Sequence, residues 1–290
     1  MFGPFGFMGT QVGSYISGSG GTITTDGDYK IHTFTETGSS TFTITQVGEP
    51  ANATLELLVI AGGGGGGGNL TDSPDVNYYG PGGGAGGLFY TASYAITSSG
   101  DIPVVVGDGG AKSVEFSYNN FLTSSLGGDS SFGSILALGG GNVNVNYENK
   151  SGFAGGSGGG ASGFTCTGVF NTCTFANGGV ALQPTSSFGG FGGDGGASSN
   201  CATGVCTFPY AARAITRRGG AGGGAGGDAS TTTPGPGKAY SITGTSITYA
   251  EGGEANIPAG TSPVIANRGH GGPAYQDGGS GVVILRYKYQ

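Results

Sequence analysis

Apolar and polar positions alternate in short pieces along this chain, and runs of glycine separate the pieces. Thr41-Phe-Thr-Ile-Thr45 alternates strictly, which predicts a half-buried strand. Leu55-Glu-Leu-Leu-Val-Ile-Ala61 and Gly281-Val-Val-Ile-Leu-Arg-Tyr287 are apolar almost throughout and read as more fully buried strands. Leu88-Phe-Tyr-Thr-Ala-Ser-Tyr94 and Ile102-Pro-Val-Val-Val106 are further candidates. The turn signal Asp26-Gly27-Asp28 opens Tyr29-Lys-Ile-His-Thr-Phe34, so residues 21–61 read as three or four antiparallel strands. Helix-period runs of Leu, Ala, Glu and Lys are missing throughout. The first and last strands are alike in character, which suggests that they pair in one sheet. Residues 62–277 then form one long excursion between them.

Glycine supplies 69 of the 290 residues. It is concentrated in runs such as residues 62–68, 82–87, 155–160, 189–196 and 219–227. Glycine loses more backbone freedom on ordering than any other residue, so such runs are either disordered or held where only glycine fits. Collagen requires strict three-residue spacing and abundant proline, and this chain has irregular spacing and 12 Pro. A flexible linker does not account for the strand-like pieces in between. The remaining readings are disordered loops on a β core and a polyglycine-II bundle. In the latter, three-residue-per-turn helices without side chains bond laterally through their outward N–H and C=O groups. The fold expected is all-β, with essentially no α-helix. An antiparallel β-sandwich scaffold of residues 21–61 and 278–290 carries a polyglycine-II bundle inserted as residues 62–277, and residues 1–20 form a separate N-terminal arm.

Charged residues make up 9% of the chain and the formal net charge is −7. That argues against phosphate-backbone binding as the main task, so no nucleic-acid partner is expected. The cluster Arg213, Arg217 and Arg218 is too small to alter this. No segment approaches the roughly 20 apolar residues of a membrane span. The start, Met1-Phe-Gly-Pro-Phe-Gly-Phe-Met8, has no basic region and does not read as a signal peptide, which suggests synthesis in a cytoplasm. Cys166 and Cys173, and Cys201 and Cys206, each bracket a Thr-Gly-Val and precede a Thr-Phe, as two copies of one small hairpin would. Four cysteines allow three connectivities. Local disulfides, Cys166 with Cys173 and Cys201 with Cys206, are the favoured reading. Zinc is disfavoured because only the second pair has a metal-ligand spacing. Disulfides without a signal peptide suit a protein released by lysis that oxidises outside the cell.

His32 and His270 have no nearby acid or cysteine at a metal spacing, and no nucleophile elbow, HExxH or Walker loop is present. Two partial matches to a calcium nonapeptide, ending at Asp194 and Asp228, are not tandem and lack the following apolar residue. The reading is therefore non-enzymatic, with no catalytic residues, no metal and no cofactor. A polyglycine lattice is chemically blank, so recognition falls to the inserts at its ends. Tyr78, Tyr79, Phe170, Phe208, Tyr210 and Arg213 are the receptor-binding candidates, because rigid aromatics give contact area at low entropic cost. The alternative is that these aromatics only cover the lattice edges. In the arm, Phe2, Phe5 and Phe7 alternate with Gly and Pro and are candidate anchors to a partner.

Several stretches, taken in order, resemble the glycine-rich domain of bacteriophage tail-fibre and other virion appendage proteins. They are Gly21-Thr-Ile-Thr-Thr-Asp-Gly-Asp-Tyr-Lys-Ile-His-Thr-Phe34, Leu57-Leu-Val-Ile-Ala-Gly62 and Gly82-Gly-Gly-Ala-Gly-Gly-Leu-Phe-Tyr90. Ser131-Phe-Gly-Ser-Ile-Leu-Ala-Leu-Gly-Gly140, Ile242-Thr-Gly-Thr-Ser-Ile-Thr-Tyr-Ala250 and Gly278-Gly-Ser-Gly-Val-Val-Ile-Leu-Arg-Tyr287 complete the set. The resemblance implies a β scaffold with a polyglycine-II core on the virion exterior, and loops at the lattice ends that read the host surface. The expected partners are another virion protein through residues 1–20, a host surface glycan or outer-membrane protein, and further copies in a homotrimer. Those adhesins carry a sizeable separate attachment domain, whereas here only residues 1–20 precede the shared pattern. A purely structural fibre or capsid-decoration protein is the rival function. An ice-binding protein is a remote one, since ice binding calls for a flat repeating face and the inserts here are irregular.

Overall fold

The computed structural model describes residues 14–68, 71–73, 76–113, 122–145, 151–161, 164–167, 172–183, 215–255 and 263–290. Two five-stranded sheets face each other. In one, the order is Ser17–Ser19, Gly38–Gln46, Gly100–Val106, Ser130–Phe132 and Ile135–Ala137. In the other it is Thr22–Asp26, Tyr29–Phe34, Val282–Lys288, Thr54–Ile60 and Leu88–Ala95. All pairings within both sheets are antiparallel. The chain is all-β, and no helix occurs among the described residues.

Alternation explains how the sheets meet. Phe42 and Ile44 are buried while Thr41, Thr43 and Thr45 are not. With Val104, Val106 and Phe132 they pack against Phe34, Leu57, Val59, Val283 and Leu285 of the opposing sheet. The strands Thr54–Ile60 and Val282–Lys288 are buried on both faces because a second core lies behind them. There Leu58, Ile60, Val282 and Ile284 meet Ile242 and Tyr249 of the hairpin Lys238–Tyr240 and Ile247–Tyr249.

The last strand sits between Tyr29–Phe34 and Thr54–Ile60, so both ends of the chain share one sheet, as the sequence suggests. Two differences concern where the pieces fall. Leu88–Ala95, Gly100–Val106, Ser130–Phe132 and Ile135–Ala137 belong to the sandwich, although they lie within the glycine-rich stretch. Their apolar faces complete a core that residues 21–61 and the last strand cannot close alone. Part of the expected arm also docks: Ile16 is 2% exposed and Ser17–Ser19 pairs with Gly38–Gln46.

The glycine runs among the described residues form a polyglycine-II bundle, recognisable by hydrogen bonds that repeat every third residue. Ala61, Gly64 and Gly67 donate to Gly87, Gly84 and Pro81. Gly62 and Gly65 donate to Gly128 and Ser125, and Gly63 and Gly66 to Gly279 and Gln276. The carbonyls of the same segment accept from Gly110 and Ser113, from Gly140, and from Gly272 and Tyr275. Residues 61–68 thus touch six neighbouring segments: 80–87, 107–113, 124–129, 138–143, 269–275 and 276–281. This is hexagonal packing of three-fold helices, and it satisfies buried backbone groups that no side chain could reach. Where the lattice stops, polar side chains take over. Ser113 Oγ accepts from Gly68 N–H, Ser130 Oγ from Gly107 N–H, Ser124 Oγ from Val143 N–H, and Gln183 Oε1 from Leu138 N–H.

Candidate functional site

The lattice has two ends. One joins the sandwich, through Ile60, Leu88, Val106, Ser130, Ala137 and Val282. At the other end the chain leaves the lattice after Gly68, Ser113, Val143 and Ala161 and returns at Gly80, Ser124 and Gly219. The hydrogen bonds fix this common level. Ser113 and Tyr275 donate to Gly66 and Gly67, Ser124 Oγ donates to Gly65, and Gly220 donates to Ala161. Among the described residues, the short strands Thr71–Ser73, Val76–Tyr79, Leu122–Thr123 and Asn144–Val145 adjoin this end.

Tyr78 and Tyr79 belong to the strand Val76–Tyr79 at this end. It pairs antiparallel with Thr71–Ser73 and parallel with Ile215–Arg218. The parallel register sets Tyr78 opposite Arg217 and Tyr79 opposite Arg218. Two inserts far apart in sequence are therefore joined where they enter the lattice. Nothing in the local sequence of either marks this pairing. Phe170, Phe208, Tyr210 and Arg213 lie outside the described residues, as do Phe2, Phe5 and Phe7.

Phe164–Thr167 and Thr172–Phe175 form the first expected cysteine hairpin, and its register places Cys166 directly opposite Cys173. Cys201 and Cys206 lie outside the described residues.

His32 is fully buried between the sheets. Its Nδ1 donates to the Gly20 carbonyl at 2.8 Å and its Nε2 accepts from the Tyr287 hydroxyl at 2.9 Å. Phe42 packs edge-on to its ring. Burial pushes its pKa below the ordinary value, and the Gly20 bond offsets part of that. His270 lines a pocket of about 220 Å³ with Glu251 and Glu254. Burial lowers the His270 pKa, and burial together with the neighbouring Glu254 raises that of Glu251. The fold brings these three side chains to one pocket although the sequence spacing of His270 suggests no acidic neighbour. Among the described residues, no group of three His, Cys, Asp or Glu is placed to hold a metal ion.

The family model of a glycine-rich domain matches residues 33–288. No curated protein matches the chain. With most of its length covered, the chain belongs to the glycine-rich domain family.

Proposed function

We propose that this member of the glycine-rich domain family is a non-enzymatic bacteriophage virion appendage protein, a tail-fibre or tip adhesin that binds the host cell surface. One observation carries the reading. The chain leaves the lattice after Gly68, Ser113, Val143 and Ala161 and re-enters at Gly80, Ser124 and Gly219 at one level opposite the sandwich, a rigid base from which inserts can be presented together. Recognition loops on a rigid scaffold are the usual arrangement of binding proteins. The resemblance of its motifs, in order, to those of phage appendage proteins adds to it. In this reading Tyr78 and Tyr79, with Phe170, Phe208, Tyr210 and Arg213, contact a host glycan or outer-membrane protein. Phe2, Phe5 and Phe7 hold the chain to another virion protein or to further copies in a trimer. The protein is then made in the host cytoplasm and displayed on the virion exterior after lysis.

The test has two arms. Antibody labelling of intact particles should mark the tail or its fibres, and the purified protein should bind host cells and compete with adsorption. Replacing Tyr78 and Tyr79 together by Ala should weaken cell binding while leaving the melting temperature unchanged. Labelling confined to the capsid, with no cell binding, would overturn the adhesin reading in favour of a decoration protein.

A further inference from the structure

The outer face of the sheet that holds the last strand is divided. Toward the lattice its outward residues are Leu58, Ile60, Val282 and Ile284, covered by the hairpin of residues 238–249. Away from the lattice the same alternation turns polar, with Thr54 and Glu56 on one strand and Arg286 and Lys288 on its neighbour. Among the described residues, no element covers this half. It forms an open groove of about 430 Å³ lined by Tyr29, Asn52, Glu56, Tyr90, Arg286 and Lys288. That volume lies in the ~300–1,000 Å³ range of small-molecule sites. A register shift between Leu55 and Leu57, opposite Leu88–Ala95, and the small residues Ala51 and Ala92 leave the space open.

The polar groups are held in place. Arg286 donates to Asp26 at 2.9 Å, lies 3.8 Å from Glu56, and stacks on the Tyr29 ring at 4.1 Å. The Tyr90 hydroxyl donates to Glu56 at 2.8 Å, and its ring packs on Tyr240 at 4.4 Å. Burial and the Glu56 bond push the Tyr90 pKa up to about 12, so it remains a donor. Tyr29 keeps 40% of its surface exposed, and the buried Arg286 Nε has no acceptor. The groove therefore offers the part of the Tyr29 ring that Arg286 leaves exposed, an acceptor at Glu56 and donors at Arg286 and Lys288.

Charge selects the class of ligand. Glu56 lines the groove and Asp26 holds Arg286 from beside it, so the two carboxylates offset Arg286 and Lys288 and no net charge favours an anion or a cation. A neutral ligand rich in hydroxyls both donates and accepts, and bridges Glu56 and Arg286 without upsetting that balance. Its C–H face can lie on the Tyr29 ring. We propose that this groove binds a neutral pyranose sugar. The site is separate from the lattice end, and the proposal does not rest on the virion reading.

The experiment uses the purified full chain and a panel of methyl pyranosides (glucoside, galactoside, mannoside and N-acetylglucosaminide) with glucuronate as the anionic comparison. Saturation-transfer NMR and calorimetry report binding. At least one neutral pyranoside should bind, with saturation strongest on its C–H face. Glu56→Gln should weaken that binding by about tenfold, the cost of one hydrogen bond to a charged group. Ala92→Trp, which fills the groove and leaves every charged residue in place, should abolish it with the fold intact. The proposal is overturned if no neutral pyranoside binds, if glucuronate binds more tightly, or if Ala92→Trp leaves binding unchanged.

Discussion

Gly65 lies in the most enclosed segment of the lattice, and replacing it by Ala tests whether packing there excludes a single methyl group. A Cβ built on Gly65 coincides with the Ala111 carbonyl and lies 2.9 Å from the Gly110 oxygen. The obstruction is backbone, so no side chain can swing aside, and residues 107–113 must move outward. That motion breaks the bonds from Gly110 to Gly63 at 2.8 Å and from Ser113 to Gly66 at 3.1 Å. Leaving buried groups unpaired costs about 1–3 kcal/mol each, or about 2–6 kcal/mol for the pair. The stiffer unfolded chain returns about 0.4–1 kcal/mol. At about 2–4 °C per kcal/mol for a large domain, the net cost of about 1–6 kcal/mol should lower the melting temperature by roughly 2–20 °C. Gly65→Val should cost more. Gly227→Ala is the control, because a Cβ there meets only Pro236 ring carbons at 3.6 and 3.7 Å. It should be neutral or slightly stabilising. Calorimetric melting of the three variants decides the matter. If Gly65→Ala melts within a degree or two of Gly227→Ala, residues 61–68 are not packed as described.

His32 should make stability depend on pH. Its folded pKa lies below the ordinary 6.5, so the unfolded chain takes up the proton first. The contribution is complete above about pH 6.5 and is lost as pH falls through the folded value, with a slope approaching 1.4 kcal/mol per unit for one proton. Urea melts from pH 7.5 to 5 should show this decline, and His32→Gln should flatten it; an unchanged slope would assign the effect elsewhere, with His270 the first candidate. Under the proposed virion role, removing residues 2–13 should leave melting unaltered but abolish incorporation into particles. Extending the deletion through Ser19 removes the buried Ile16 and should cost at least about 1.5–3 kcal/mol. Equal melting of the two truncations would show that residues 14–19 do not support the sandwich. Non-reducing peptide mapping of protein from particles should recover Cys166 linked to Cys173, whose strands are in register. Alkylation of both thiols before reduction would refute that pairing.

The sandwich strands were legible where alternation is local. Thr41–Thr45 and residues 55–61 need only their own pattern, because each Cβ direction follows from the pleat. The lattice was legible from its glycine runs, since few structures accommodate them. What stayed hidden depends on distant partners. Ser113, Ser124, Ser130 and Gln183 look like ordinary loop residues, and only the lattice shows them completing it. The short strands Ser130–Phe132 and Ile135–Ala137 are too brief for periodicity to speak. The groove residues Tyr29, Glu56, Tyr90 and Arg286 stand on four strands, and their meeting is set by sheet order alone. Likewise, Tyr78 stands in register with Arg217 through a parallel pairing that no local signal announces.

The strand Val282–Lys288 occupies the middle of its sheet, between two strands made more than two hundred residues earlier. During synthesis, Tyr29–Phe34 and Thr54–Ile60 emerge as facing edges with a gap of one strand between them. Neither can be sealed until nearly the whole glycine region has left the ribosome. The lattice has the same dependence, since Gly63 and Gly66 need Gly279 and Gln276 as acceptors. Such pairing is slow, and open edges invite association with other chains. Folding of this protein is therefore a late event that closes around its final strand, and an assistant that shields the two waiting edges should raise the yield of native chains more than one that acts on the finished domain.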